Sequence, residues 1–153
     1  MLDFSKSGVF SFASAVEPVL YVEDQPDDVF FMQHVWEIAG IKQPLIIVKD
    51  GQEAIDYLAG KGAFADRKKS PLPCLVLLDL NLPVKNGFEV LKWIRQQPNL
   101  KELKVVVVSG SNQERDIENA RTLGITDYLV KPSGLNRLME AIQGKIHQWL
   151  AKE

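Results

Sequence analysis

The residue pattern of this 153-residue chain calls for an α/β protein, a doubly wound sheet of five parallel strands with helices on both faces. Five short apolar runs alternate with five segments of helical period, and that alternation builds a parallel sheet covered on both sides. The central run is apolar throughout instead of alternating with polar residues, as in strands buried on both faces. Four of the five runs also end at a polar residue of distinct type: Glu23-Asp24, Asp79, Ser109 and Lys131.

Val19 to Val22 is the first strand, and it runs straight into Glu23-Asp24-Gln25-Pro26-Asp27-Asp28. Asp27 or Asp28 can cap the helix that follows, which extends to about Ala39 and is stopped by Gly40. Phe31, Met32, Val35, Trp36 and Ala39 would face the sheet. Phe30, His34 and Ile38 fall on a second line at i, i+4, i+8; they are either the flank of a wide buried face or a docking surface. Leu45 to Val48 is the second strand, and Asp50-Gly51 leads into a helix from Gln52 to Leu58. Gly60 to Pro73, with its glycines, charges and prolines, is a loop by composition.

The third strand organises the rest. Cys74, Leu75, Val76, Leu77, Leu78 and Leu80 surround one carboxylate, Asp79. Burying an ionised Asp without compensation costs several kcal/mol, so Asp79 must stand where the strand surfaces. Asn81, Pro83 and Asn86-Gly87 are turn residues that take the chain out of the sheet there. A helix follows from Gly87 to about Gln97, apolar at Val90, Leu91, Trp93 and Ile94 and ended by Pro98. Val105 to Val108 is a β-branched strand that delivers Ser109-Gly110-Ser111, and a helix from Gln113 to Leu123 stops at Gly124. Asp127 to Val130 is the fifth strand, leading into Lys131-Pro132. The last helix, about Gly134 to Ala151, has one apolar stripe from Leu135 to Leu150.

We divide the chain into a tail, residues 1–16, and one domain, residues 17–153. The composition, 46% hydrophobic and 25% charged, is that of an ordinary globular domain. A net charge of -2 supplies no electrostatic attraction for nucleic acid or an anionic membrane. Cys74 is the single cysteine, which excludes a disulfide framework or a zinc-ligand spacing and fits a reducing compartment. No apolar run approaches the roughly 20 residues of a membrane-spanning helix. Cytoplasm is the expected location.

Parallel strands place their carboxyl ends on one edge. If the first and third strands are neighbours, Glu23, Asp24 and Asp79 converge at the topological switch point, where such sheets bind ligands. Two carboxylates about 4 Å apart repel by roughly 4 kcal/mol at an effective dielectric of 20, so the cluster takes up protons or a cation. With oxygen ligands alone the ion is hard, Mg²⁺ or Mn²⁺. A carboxylate beside it can be the nucleophile that accepts a phosphoryl group, whose oxygens the Lys131 ammonium and the Ser109 hydroxyl could meet. An FMN protein of the same fold would want backbone N–H groups around phosphate after the first strand, where this chain has Glu23, Asp24, Asp27 and Asp28. A phosphatase with Asp79 as nucleophile would usually place a second acid at position 81, which is Asn81.

The motifs VLYVEDQPDD, LVLLDLNLPVKNG, VVVVSGS and DYLVKP strongly resemble the receiver domains of two-component response regulators, over Pro18 to Leu150. The resemblance implies a flavodoxin-like sheet in the order 2-1-3-4-5 and a signalling protein whose only self-chemistry is its own phosphorylation and dephosphorylation. Residue by residue, it implies Asp79 as phosphoacceptor from a sensor histidine kinase and Asp24 as the main Mg²⁺ ligand. Glu23 would assist through water, and Asn81 would offer its backbone carbonyl to the metal. Ser109 falls at the switch position, Lys131 at the phosphate-binding lysine, and Tyr128 at the aromatic position that turns inward with Ser109. The Lys131-Pro132 bond is expected to be cis. VEDQPDDVFFM, DGQEAIDYLAG and LDLNLPVKNGFEVLKWIR are similar to single-domain regulators of the cyanobacterial phytochrome type, which implies a phytochrome-type kinase and no attached DNA-binding domain. Gly110 departs from the Ala or Thr common after the switch residue. Output is expected at the face of the fourth helix, fifth strand and fifth helix, with a homodimer as its form.

Overall fold

In the computed structural model, which describes residues 16–152, five parallel strands lie in the order β2-β1-β3-β4-β5. The strands are β1 (Val19–Val22), β2 (Leu45–Val48), β3 (Leu75–Leu78), β4 (Lys104–Ser109) and β5 (Asp127–Val130). The helices are α1 (Pro26–Ile38), α2 (Gly51–Ala59), α3 (Gly87–Gln96), α4 (Glu114–Thr122) and α5 (Leu135–Leu150). The expected topology is the one observed. Residues 1–15 of the predicted tail lie outside the described residues.

Side chains that alternate across a strand feed two separate cores. Leu20, Val22, Val76, Leu78, Val105 and Val107 point to one face, where Leu58, Val90, Leu91 and Ile94 of α2 and α3 cover them. Val19, Tyr21, Leu75, Leu77, Val106 and Val108 point to the other, against Met32 and Val35 of α1 and Ile142, Ile146 and Trp149 of α5. Burying a Leu, Val or Ile side chain contributes about 1.5–3 kcal/mol, so these two layers hold the sheet flat against its helices and leave its carboxyl edge open to chemistry. α4 buries only Ala120.

Register does the positioning. Val22 is level with Leu78, and Leu78 with Val107, so the residues after β1 and β3 emerge side by side. The backbone keeps them there: the Asp79 N–H donates to Val22 O at 3.2 Å and the Lys131 N–H to Ser109 O at 2.7 Å.

Several ends differ from the sequence expectation. Gln25, not Asp27 or Asp28, is the N-cap of α1, and its side chain makes no capping bond. Pro26, with its fixed φ, begins the helix, which moves both aspartates into the first turn. The loop from Gly60 to Pro73 is tightly tied: Arg67 donates to the carbonyls of Tyr57, Leu58 and Ser70, and the Tyr57 hydroxyl to Pro71 O. On α1, Met32, Val35 and Trp36 are buried, but Phe30 and Ile38 are 53% and 58% exposed. That excludes the wide buried face and leaves a stripe exposed at its two ends, in which the half-buried His34 ring lies 4.5 Å from that of Phe30.

α5 is latched to the sheet through Asp127, which accepts from the buried Trp149 Nε1 at 2.9 Å, from Lys145 Nζ at 3.3 Å and from the Tyr128 N–H. Burial alone would raise the Asp127 pKa, but these donors outweigh it and hold the carboxyl below the usual range. A depressed carboxyl stabilises the fold above its unfolded value, and the contribution is lost as pH falls through the folded one. Asp127→Ala is therefore expected to lower unfolding free energy by about 1–3 kcal/mol at neutral pH. In urea titrations at pH 7 and pH 3, the gap between variant and wild type should narrow at the acid end.

Candidate functional site

Two glycines allow Asp79 and its loop to sit where they do. A Cβ on Gly87, the first residue of α3, would stand 2.4 Å from Asp79 O, and one on Gly51, the first of α2, 1.9 Å from Lys85 O. The loop after β3 is thus clasped between two helix starts. Asn86 closes it with a capping box: its side chain accepts the Glu89 N–H and its own N–H reaches the Glu89 carboxylate, both at 3.0 Å. Inside the loop, Val84 takes φ 66° while the Lys85 N–H donates to Pro83 O. A β-branched residue in the left-handed region costs of order 1–3 kcal/mol, and here that strain lies five residues beyond Asp79.

At the sheet edge Glu23 is fully buried and Asp79 is 3% exposed. One oxygen from each of Glu23, Asp24 and Asp79 lies within 4.8 Å of the others, the convergence expected from the sequence. Lys131 reaches into the group from β5. Its Nζ lies 2.7 Å from Glu23 Oε1, 2.9 Å from Asp28 Oδ2 and 3.4 Å from Asp79 Oδ2, so its three protons meet three carboxylates. Burial pulls the Lys131 pKa down, but the bonds to Glu23 and Asp28 and the Asp79 charge prevail and hold the ammonium well above the ordinary lysine range. Glu23 is pushed up to about 7, chiefly by burial and, despite Lys131, by the charge of Asp79.

The site is therefore short of positive charge. Asp24 Oδ1 is buried and has no hydrogen-bond partner among the described residues, the condition of an oxygen suited to a cation. The donors are all carboxylates, which favour hard divalent ions. Asn81, exposed, turns its N–H toward Asp79 Oδ1 at 3.3 Å. Ser109 is buried at the end of β4 and its Oγ accepts the Ser111 N–H at 3.1 Å. The Tyr128 hydroxyl donates to Ser111 O at 2.9 Å, so the ring is joined to the segment that follows Ser109. Gly110 is exposed, with open space where a Cβ would be.

Two features differ from expectation or escaped it. Among the described residues no peptide bond is cis, so Lys131-Pro132 is trans. An X–Pro bond favours trans by about 0.5–1 kcal/mol unless its surroundings select otherwise, and from a trans bond Lys131 already reaches all three carboxylates. Asp28, read as a cap, is instead a partner of Lys131. The signal was its place one turn after the acidic pair, which the capping reading absorbed.

The family model for the response regulator receiver domain matches residues 19–143. Response regulator Rcp1 of Synechocystis sp. is 40% identical over 132 residues, covering 86% of this chain and 88% of that protein. The crystal structure of the phosphorylated cyanobacterial phytochrome response regulator RcpA superposes with TM-score 0.82 at 36% identity, over 90% of this chain and 96% of that one. The Mn²⁺-bound form of Rcp1 gives 0.80 at 39% identity, with the same coverage. With its sheet order, its acidic cluster and these likenesses, the chain belongs to the response regulator receiver domain family.

Proposed function

We propose that Asp79 accepts a phosphoryl group from a histidine kinase and that the domain signals by the rearrangement this causes. The observation that carries the reading is the charge balance at the edge. Asp79 shares one ammonium with two other carboxylates, beside an Asp24 oxygen with no partner among the described residues. An Asp79 oxygen attacks the phosphorus of a phosphohistidine. The P–N bond breaks, its electron pair stays with the imidazole nitrogen, and an acyl phosphate forms. Phosphoryl transfer relies mostly on positioning and charge neutralisation. Asp79 is positioned by the register of β1 and β3, the clasped loop and the Asn81 N–H. Lys131 can exchange the Asp79 carboxylate for a phosphoryl oxygen without leaving Glu23, and Ser109 retains a hydroxyl proton to donate to another.

Asp24 and Asp79 would hold a divalent cation, with the Asn81 carbonyl and, through water, Glu23; Mg²⁺ is the ion we propose. When bound, it neutralises charge on the transferred phosphoryl oxygens. Ser109 moving toward the phosphoryl group would draw on Ser111 and hence on Tyr128, whose hydroxyl is tied to Ser111 O. That linkage is our switch, carrying the signal to α4, β5 and α5.

A kinase histidine must approach Asp79 across the sheet edge, and the stripe of exposed Phe30 and Ile38 with half-buried His34 between them begins two residues from Asp28. We place the kinase there. A phytochrome-type kinase is supported by the likeness to RcpA, described as a cyanobacterial phytochrome response regulator. Cytoplasm is our proposed location, supported by the lone unpaired Cys74; among the described residues no helix is long and apolar enough to cross a membrane.

Incubation with acetyl phosphate and Mg²⁺, read by intact mass, is expected to add one phosphoryl group to the wild type and none to Asp79→Ala or to protein in EDTA. Uptake by Asp79→Ala would overturn the assignment. We assign output to a second copy bound at the α4–β5–α5 face, where Val130 is exposed. Sedimentation velocity should then show a larger species with a beryllofluoride phosphoryl mimic, and an unchanged profile would refute the dimer.

A further inference from the structure

Glu23 has one neighbour that the phosphoryl-transfer reading does not use. Tyr21 lies two residues earlier on β1, and residues i and i+2 of a strand project to the same face. Its ring is buried among α1 and α5 residues, and its hydroxyl donates to Glu23 Oε1 at 3.1 Å. That oxygen also takes the Lys131 ammonium at 2.7 Å, while Oε2 takes only the Gln25 N–H at 3.2 Å. An ionised carboxylate offers about four acceptor positions. Among the described residues three are filled, and the open one is on Oε2.

The last torsion of a Glu side chain is broad and nearly two-fold. Lys131 by itself would donate to either oxygen, or bridge both. A second donor aimed at the same oxygen from within the core fixes the plane of the carboxylate, because a rotated or bridging carboxylate would leave a buried phenol without its acceptor. Burial and the charges of Glu23 and Asp28 hold the phenol pKa far above its ordinary value, so Tyr21 remains a donor.

We propose that Tyr21 is a positioning residue for the cation site: its hydroxyl fixes Glu23 Oε1 against Lys131 and so presents Oε2 to the cation or to its bound water. This rests on the divalent-cation part of the reading above, and it reaches the reaction only through Glu23.

The test is Mn²⁺ binding, followed by the electron paramagnetic resonance signal of free Mn²⁺, on wild type, Tyr21→Phe, Glu23→Gln and the double variant. Removing the partner that orients a ligand commonly weakens metal binding about 10- to 100-fold. Tyr21→Phe should weaken Mn²⁺ binding about 10-fold yet restore normal phosphoryl uptake from acetyl phosphate once the metal is saturating. In the Glu23→Gln background it should add no further loss. Tyr57→Phe, which removes a buried phenol bonded to Pro71 O far from the site, should leave Mn²⁺ affinity unchanged. A Tyr21→Phe protein that binds Mn²⁺ within about twofold of wild type overturns the proposal while phosphoryl uptake by the wild type still upholds the broader reading. Loss of fold in that variant, seen by circular dichroism, also contradicts it, since the phenol would then serve stability and not position. Absence of Mn²⁺ binding by the wild type defeats the cation assignment itself.

Discussion

One ammonium holds this site together. Lys131 Nζ stands among Glu23, Asp28 and Asp79, with Asp24 added to the same acidic group through Glu23 and Asp79. Among the described residues, four carboxylates against one ammonium leave an excess of negative charge at an edge where Glu23 and Asp79 are buried. A buried charge without a partner is strongly destabilising, so the Lys131 contacts are a condition of the fold at this edge as well as of the chemistry. The remaining negative imbalance suits the edge to a divalent cation.

The elements that create this crowding are short-range and mechanical. The level register of β1 with β3 brings the acids after each strand alongside one another, and the two cores on opposite faces prevent the strands from sliding. Gly51 and Gly87 let two helix starts close on the loop after Asp79. Because that loop is clasped, the Asp79 carboxylate is held in place by the fold itself. The segment after β4 connects the site to Tyr128 through Ser109 and Ser111.

The Glu23-Asp24 pair, Asp79, Ser109 and Lys131 were legible in the sequence because each stands at the end of its own apolar strand, and parallel strands bring such ends to one edge. The sheet and its helices were legible for the same reason. Asp28 was not, because an acid at a helix start has two equivalent uses and only the tertiary reach of Lys131 separates them. Tyr21 was hidden within an apolar run, where an aromatic reads as core; its hydroxyl bond to Glu23 depends on how deeply the carboxylate is buried. The Lys131-Pro132 isomer and the carbonyl-binding role of Arg67 also depend on tertiary surroundings. Phe30 and Ile38 lie on a helical line whose exposure is set by how α1 rolls against the sheet, which periodicity alone leaves open.

The most direct test of this charge balance is the unfolding free energy of Lys131→Met beside the wild type, measured in urea with EDTA and again with millimolar Mg²⁺. If Lys131 compensates the acidic cluster, the variant should lose about 3 kcal/mol in EDTA, and Mg²⁺ should restore more stability to it than it adds to the wild type. A variant as stable as the wild type in EDTA, and indifferent to Mg²⁺, would contradict the account.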